Sequence, residues 1–367
     1  MRFTIERSAL VTAVAPLKNV IRARNTIPIF DHVLISAATD GAKLAVTDMD
    51  MVLVERVAAN VENEGAATVP ATKLSEIAKR LPTDGEVKFE RRDGHVHIRA
   101  GRANVRLPSF DPDNFPSLQI GKLPYEFTIE AADLFRVIEN VRFAMAPDDK
   151  RYYLCGVYLH TTQESLRAVA TDGNRLAMSN APLPAGAGAM PGIIVPDKTI
   201  NLLHDLLKGA AGEVFVAVSD RMILAAAETW SLASKLIEGT FPDYERAIPT
   251  GNEHILNLDR DALAAAVALV SSIMAEKTKI CVLEACGPVL IVSARGADDN
   301  AEATQEIVIG DDHPPVRAAF QSRYLTDVAG QVGPTLRIEV SSDPGAAAVL
   351  RDPDNPNTLF VVMTCRG

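Results

Sequence analysis

Seven histidines and four cysteines are the residues of this chain best suited to metal or nucleophilic chemistry, and their spacing favours neither. His95 and His97 alternate along a stretch that reads as a strand, so they share a face, and exposed strand polarity explains them more economically than a metal. Cys281 and Cys286 lack the spacing of a zinc knuckle. With Cys155 and Cys365 they are sparse and irregular, as reduced thiols are in a reducing compartment. The chain has no phosphate-binding loop ending in Gly-Lys-Ser/Thr, no Gly-x-Ser-x-Gly, no dinucleotide fingerprint and no His-Glu-x-x-His. Asp48 and Asp172 recur behind Thr47 and Thr171, but a repeated Thr-Asp after a strand is more simply a turn or a cap than a catalytic pair. No catalytic residue, metal ligand or cofactor site is therefore assigned.

Charge is the chemistry that remains. The formal net charge is -10, which taken alone argues against nucleic acid. Its distribution argues otherwise. Segments with helical periodicity carry Lys18, Arg22, Arg24, Lys73, Lys79 and Arg80, then Arg136, Arg142, Lys198 and Lys208, then Arg260, Lys277, Lys279 and Arg323. Acidic residues such as Glu62, Glu64, Asp111, Asp113, Asp298, Asp299, Asp352 and Asp354 gather in strands and loops. Cations on a polar helix face are ordinarily just solvated. A face that is basic in each of several repeated helices can instead line one continuous surface that attracts phosphate.

The elements that position these residues recur. Phe3-Thr4-Ile5-Glu6 leading to Leu10 returns as Phe127-Thr128-Ile129-Glu130 leading to Leu134, and more weakly as Leu256-Asn257-Leu258-Asp259 leading to Leu263. Val69-Pro70 returns as Val195-Pro196, and Phe115-Pro116 as Phe241-Pro242; in the third copy Phe320-Gln321-Ser322 stands where Val-Pro stood. A period of about 125 residues is too long for a solenoid unit, so each copy is expected to be a folded domain. Apolar residues step by three and four in a first helix of each copy (Leu10, Val14, Leu17, Ile21; Leu134, Val137, Ile138, Val141; Leu263, Val267, Val270, Met274). Pro16 predicts a kink or a late start in the first of these. Second helices follow at Leu74 to Leu81, Ile200 to Leu207 and Leu325 to Val332. Hairpins are expected from Val33 to Thr47, from Val157 to Thr171, and between Ile280-Cys281-Val282-Leu283 and Val289-Leu290-Ile291-Val292.

The fold class read from this pattern is α+β, with three tandem domains of two helices on antiparallel sheet, spanning 1–122, 126–247 and 252–367. Pro- and Gly-containing segments at 115–124 and 248–252 separate them. At 367 residues the chain exceeds what one hydrophobic core usually supports. No apolar run spans a bilayer and the amino terminus reads as a strand, so the expected compartment is the cytoplasm, without a membrane partner.

With those landmarks in order, the sequence resembles the β subunit of bacterial DNA polymerase III, the DNA sliding clamps, from Met1 to Gly367. The strings that carry the resemblance are Met1-Arg2-Phe3-Thr4-Ile5-Glu6-Arg7, Thr26-Ile27-Pro28-Ile29, Arg151-Tyr152-Tyr153-Leu154, Thr171-Asp172-Gly173-Asn174-Arg175-Leu176, Phe241-Pro242-Asp243-Tyr244 and Phe360-Val361-Val362-Met363. The resemblance implies a DNA-clamp domain repeated three times to form half of a ring, closed by a second copy around double-stranded DNA. It implies DNA contacts at Arg24, Lys73, Tyr152, Tyr153 and Lys198. It also implies a pocket for short hydrophobic peptide motifs of DNA polymerase III, other polymerases, the clamp loader, and mismatch-repair and ligase-type factors. Leu154, Thr171, Gly173, Asn174, Arg175 and Leu176 correspond to one part of that pocket, Pro242 and Arg246 to another, and Val361, Met363, Thr364, Cys365 and Arg366 to a third. The arginines there are expected to meet polar or acidic parts of a ligand. Plain core is the other reading of Leu154, Leu176 and Val361. The homodimer joint falls on Val105, Leu107, Leu269 and Val270, for which core is again the alternative.

This chain departs from the family at Met363-Thr364-Cys365-Arg366, where Met-Pro-Met-Arg is usual, and at Asn174, where histidine is common. Two other classes stand beside the clamp. An enzyme would need a catalytic constellation that the residues do not offer, whereas a repeated scaffold that binds peptides but not DNA differs only in whether it is retained on a DNA circle.

Overall fold

The computed structural model describes residues 1–21, 26–83, 85–148, 150–274, 279–296 and 301–365, together with the backbone but not the side chain of residue 311. Arg22, Arg24, Lys277, Asp298, Asp299 and Arg366 lie outside the described residues. Six α-helices are found among those described: α1 (Arg7–Leu17), α2 (Ala71–Arg80), α3 (Ala131–Arg142), α4 (Asp197–Leu207), α5 (Arg260–Ser271) and α6 (Ser322–Ala329). The repeated opening strings are strands Arg2–Glu6, Tyr125–Glu130 and His254–Asp259, each running directly into α1, α3 or α5. The Asp259 carboxylate accepts the Ala262 N–H at 2.8 Å and caps α5. The second helices each begin where a strand stops, after Pro70, Pro196 and Gln321.

The chain forms two compact units. The first comprises Met1–Phe135, Pro184–Pro191 and Lys198–Leu236. Its larger sheet has eight antiparallel strands in the order 125–130, 213–218, 222–226, 230–235, 51–57, 41–47, 32–38, 65–70. The strands from the first copy and those from the second meet where Trp230–Ser234 pairs with Met51–Glu55. A five-stranded sheet runs 60–63, 2–6, 86–92, 95–100, 103–108, its interior built around the parallel stack of Phe3 on Phe89 at 4.8 Å. The second unit comprises Arg136–Leu183, Gly192–Asp197 and Ile237–Gly367. Its eight-stranded sheet has the order 193–196, 156–161, 165–171, 175–182, 355–362, 348–352, 335–340, 254–259. There Arg175–Ser179 pairs with Thr358–Val362. Each large sheet thus joins the hairpin of one copy to strands of the next, which no single-copy reading of the sequence contains.

The predicted apolar helix faces are buried: Leu10, Val14 and Leu17 in α1, Leu134, Val137, Ile138 and Val141 in α3, and Leu263, Val267 and Val270 in α5. Two local expectations are corrected. α1 does not start late: Pro16 sits in its last turn, so the lost N–H bond and the ring's clash with the preceding turn fall where the helix ends, one residue further on. The third hairpin is not formed between Ile280–Leu283 and Val289–Val292, since both belong to one strand, Ile280–Arg295, which pairs with Glu302–Gln321. The register shifts on either side of Gly287, whose φ of +63° lets the strand bulge at Cys286-Gly287-Pro288 instead of reversing. Among the described residues no helix is long and apolar enough to cross a membrane, and no group of three or more His, Cys, Asp or Glu is placed to hold a metal.

Glu55 lies in the first unit's large sheet opposite Leu44 and Trp230 and is 7% exposed. Burial pushes its carboxyl up to about 8, with the neighbouring Arg56 opposing. The folded chain therefore holds a proton on Glu55 at pH values where the unfolded chain has released it. Stability from this position is full below the unfolded carboxyl pKa, near 4.5, and is lost as pH rises through about 8. Glu55→Gln is expected to flatten that decline and to raise the melting temperature at alkaline pH, measured by thermal denaturation across the pH range.

Candidate functional site

A cavity of ≈ 220 Å³ opens in the second unit, walled by Arg151, Tyr153, Leu154, Thr171, Gly173, Asn174, Arg175, Leu176, Pro242, Asp243, Tyr244, Ala247, Val361 and Met363. Four local devices bring them together. The first is the tight turn joining strands 165–171 and 175–182. Thr171 Oγ1 donates to the Arg175 carbonyl at 2.6 Å and accepts from Gly173 N at 3.1 Å, while Asp172 Oδ1 accepts from Asn174 N and Arg175 N at 2.9 and 3.0 Å. Gly173 has a φ of +87°, a backbone conformation that favours glycine, and a Cβ there would displace the Arg151 guanidinium, whose nearest nitrogen would lie 2.6 Å away. The second is the 3-10 turn Tyr152–Leu154, which sets Leu154 inward and leaves Tyr152 57% exposed. The third is the 3-10 turn Tyr244–Ala247, and the fourth is the carboxy-terminal strand, continued by Met363, whose N–H donates to the Asn174 carbonyl at 2.8 Å.

The floor is the core seen from outside. Leu154, Leu176 and Val361 are at most 4% exposed and pack with Val169, Phe241, Tyr244 and Leu359, so these core residues also line the cavity. Met363 at the rim is 44% exposed and offers a flexible thioether surface. A concave apolar floor of this size with polar groups at its edge suits a few apolar side chains of an extended peptide.

Arg175 lines the cavity, and its guanidinium is tied into the structure behind it. Its guanidinium is held by Asp172 at 3.1 Å, by Asp327 of α6, and by the Phe143 carbonyl at 2.6 Å, between the rings of Phe143 and Tyr324. With all three guanidinium nitrogens engaged and its side chain 5% exposed, it braces the turn from beneath. Arg246 is 86% exposed and paired with Asp243 at 2.8 Å, outside the cavity wall. Thr364 donates to the Pro344 and Ala346 carbonyls, and Cys365 joins a different cavity beside Arg317, Asp343 and Gly345, because the chain end is drawn there by the Cys365 N–H to Ala319 carbonyl bond at 2.7 Å. Sequence reasoning missed Arg151, Asp243, Tyr244 and Ala247 as wall residues. Three of them stand inside the strings that carried the resemblance, but which side of a 3-10 turn faces a cavity is not written in a string.

The other sequence-derived residues fall as follows. Lys73 and Lys79 are exposed on α2, as are Lys18 and Lys208 just beyond α1 and α4. Lys198 is not a free cation: its ammonium donates to Asp48 Oδ2 and to the Val20 carbonyl, both at 2.6 Å. Asp48 sits in a turn built like that of Asp172, with Thr47 Oγ1 on the Met51 carbonyl and Asp48 Oδ1 accepting from Asp50 N and Met51 N. Burial acts to raise its pKa, but Lys198 and those backbone donors outweigh it and hold the carboxyl below its usual range. Tyr153 lines the cavity, edge-on to Tyr152 at 5.8 Å. Val105 is half-buried and Leu107 5% exposed on the outermost strand, 103–108, of the five-stranded sheet. Leu269 is 50% exposed on α5, whereas Val270 is fully buried and, like Leu107, belongs to the core.

Comparison with known proteins gives a match along the whole chain. The family model for the DNA polymerase III beta subunit matches in three parts: its N-terminal domain at residues 1–119, its central domain at 128–243 and its C-terminal domain at 245–366. The beta sliding clamp of Caulobacter vibrioides is 37% identical, with both chains covered completely. Among solved structures, Caulobacter crescentus pol III beta superposes with a TM-score of 0.93 at 37% identity over all of both chains. A sliding clamp from Bartonella birtlesii bound to griselimycin superposes with a TM-score of 0.96 at 33% identity, again over both full chains.

Arg175→Met removes the cation from between two acidic side chains and is expected to lower unfolding free energy by about 3 kcal/mol or more, as for other broken buried pairs. Urea denaturation measures this; a loss below about 1 kcal/mol contradicts the bracing role.

Proposed function

This chain belongs to the DNA polymerase III beta subunit family, and on that premise we propose the division of labour among its surfaces that follows. The protein is a DNA sliding clamp: a processivity factor with no catalytic activity of its own, acting as a homodimeric ring that encircles duplex DNA and tethers DNA polymerase III and other replication and repair factors. Its modules are residues 1–122, 126–247 and 252–367. It works in the cytoplasm, where replication proceeds.

The observation that carries the partner-binding part is the groove at Leu154, Leu176, Pro242, Val361 and Met363. Its apolar floor takes the hydrophobic residues of a clamp-binding peptide, and the exposed edge at Asn174 and Arg151 supplies hydrogen-bonding groups. The griselimycin complex of the Bartonella relative supports this reading, since a clamp of 33% identity accepts a ligand of that kind.

DNA association rests on weak, sequence-blind attraction by cations such as Lys73 and Arg24, with Tyr152 available for stacking; Lys198 contributes by fixing the Asp48 turn. A closed ring needs little affinity, because topology prevents escape. That reconciles a net charge of -10 with a DNA-bound function. The half-buried Val105 and the exposed Leu269 serve the joint between protomers.

Removing residues 363–367 is expected to abolish griselimycin binding in calorimetry while leaving the dimer mass unchanged in solution. Full-strength binding by the truncated chain contradicts the groove assignment.

A further inference from the structure

Behind the groove wall at Tyr244 lies a set of polar groups that peptide contact alone does not call for. The Tyr244 hydroxyl is 3.0 Å from His160 Nε2, 2.9 Å from Arg167 Nη1 and 3.4 Å from Glu245 Oε1. His160 and Arg167 stand directly opposite each other in the ladder between strands 156–161 and 165–171. Arg167 is fixed in turn by Asn180 at 2.8 Å and Glu245 at 3.2 Å. An aromatic run completes the arrangement: Phe241 stacks on Tyr158 at 4.8 Å, Tyr158 on His160 at 4.9 Å, and His160 lies tilted against Tyr244 at 5.8 Å.

The hydrogen-bond roles follow from donor counting. His160 Nδ1 lies 3.3 Å from the Thr161 carbonyl, which can only accept, so the neutral ring carries its proton on Nδ1 and leaves Nε2 as an acceptor. Arg167 can only donate, and it donates to the phenol oxygen. The phenol hydrogen therefore goes to His160 Nε2, its nearer acceptor, in preference to Glu245.

We propose that His160 is a positioning residue for the groove: neutral, it accepts the Tyr244 hydroxyl and fixes that ring as the groove wall, and protonated, it releases the ring and weakens partner binding. This rests on reading the groove as a peptide site. Protonation makes Nε2 a donor, so two cationic groups then point at one phenol oxygen, and the phenol hydrogen must swing to Glu245 across the longest of the three contacts. The charged and titratable groups around the imidazole are Tyr158 on its own strand, Arg167 on the neighbouring strand, and Tyr244 and Glu245 on the covering turn. Burial lowers the imidazole pKa first and Arg167 lowers it further, against the Thr161 carbonyl and Glu245, so the net direction is down and the neutral form holds at neutral pH.

The test is griselimycin affinity by calorimetry from about pH 7.5 to about pH 5, a window in which imidazole titrates. The wild-type chain should weaken about three- to tenfold toward acid, the worth of about one net hydrogen bond. His160→Gln, whose amide oxygen accepts but does not titrate, should bind as wild type near neutrality and show no acid weakening. Tyr244→Phe, which keeps the ring and removes the hydroxyl, should also be flat with pH, and it decides the matter if His160→Gln fails to fold. A flat wild-type profile, or an unchanged slope in either folded variant, overturns the proposal. Failure of the wild-type chain to bind griselimycin near neutrality overturns the peptide-site reading and the proposal with it. Binding that needs residues 363–367 but has a pH profile indifferent to His160 overturns the proposal alone.

Discussion

A buried carboxylate in the Thr-Asp turn of one sequence copy ties that turn to the second helix of the next. Asp48 Oδ1 closes its own turn and Oδ2 takes Lys198 in the first turn of α4. Asp172 does the same through an intermediary: Oδ1 closes the turn, Oδ2 takes Arg175, and Arg175 reaches Asp327 in α6. A buried charge without its partner is costly, so neither turn can be reshaped without disturbing a helix from another copy. The copies are welded in the same places by sheet pairing, at 51–55 with 230–234 and at 175–179 with 358–362.

This constraint decides which cations remain for function. Lys198 and Arg175 are both tied into the structure by an ion pair and a backbone carbonyl. Lys73, by contrast, is exposed on α2. The same weld builds the groove. With Arg175 locked from below, the 171–175 turn presents Thr171, Gly173 and Asn174 at a fixed height beside Met363, and the exposed side of the second unit's core becomes the floor. A binding site made from a core surface has little freedom to collapse, which is the preorganisation that a short apolar peptide needs to bind without ordering its receptor.

Much of this was legible in the sequence. The helix faces at Leu10, Val14 and Leu17 or at Leu263 and Val267 follow from apolar spacing alone, and the Thr-Asp turns follow from side-chain geometry that acts within four residues. Leu154, Gly173, Leu176 and Val361 were reached only through resemblance, since a buried leucine under a groove has the same local pattern as any other. The misses share one cause: they depend on partners distant in the chain. Nothing near Arg175 announces Asp327, nothing near Lys198 announces Asp48, and the pairing of Ile280–Arg295 as one bulged strand depends on a partner longer than itself. Tyr244 stands in a string that carries the resemblance, yet the partners of its hydroxyl, His160 and Arg167, come from another hairpin.

The central claim is that confinement around DNA, and not tight contact with it, gives this protein its function. Loading the protein with a clamp loader and ATP onto a nicked circular DNA, isolating the complex, and then cutting the circle tests this most directly. Retention on the closed circle with release once the DNA has ends is the predicted result. Equal retention on circular and linear DNA, or none on either, contradicts it.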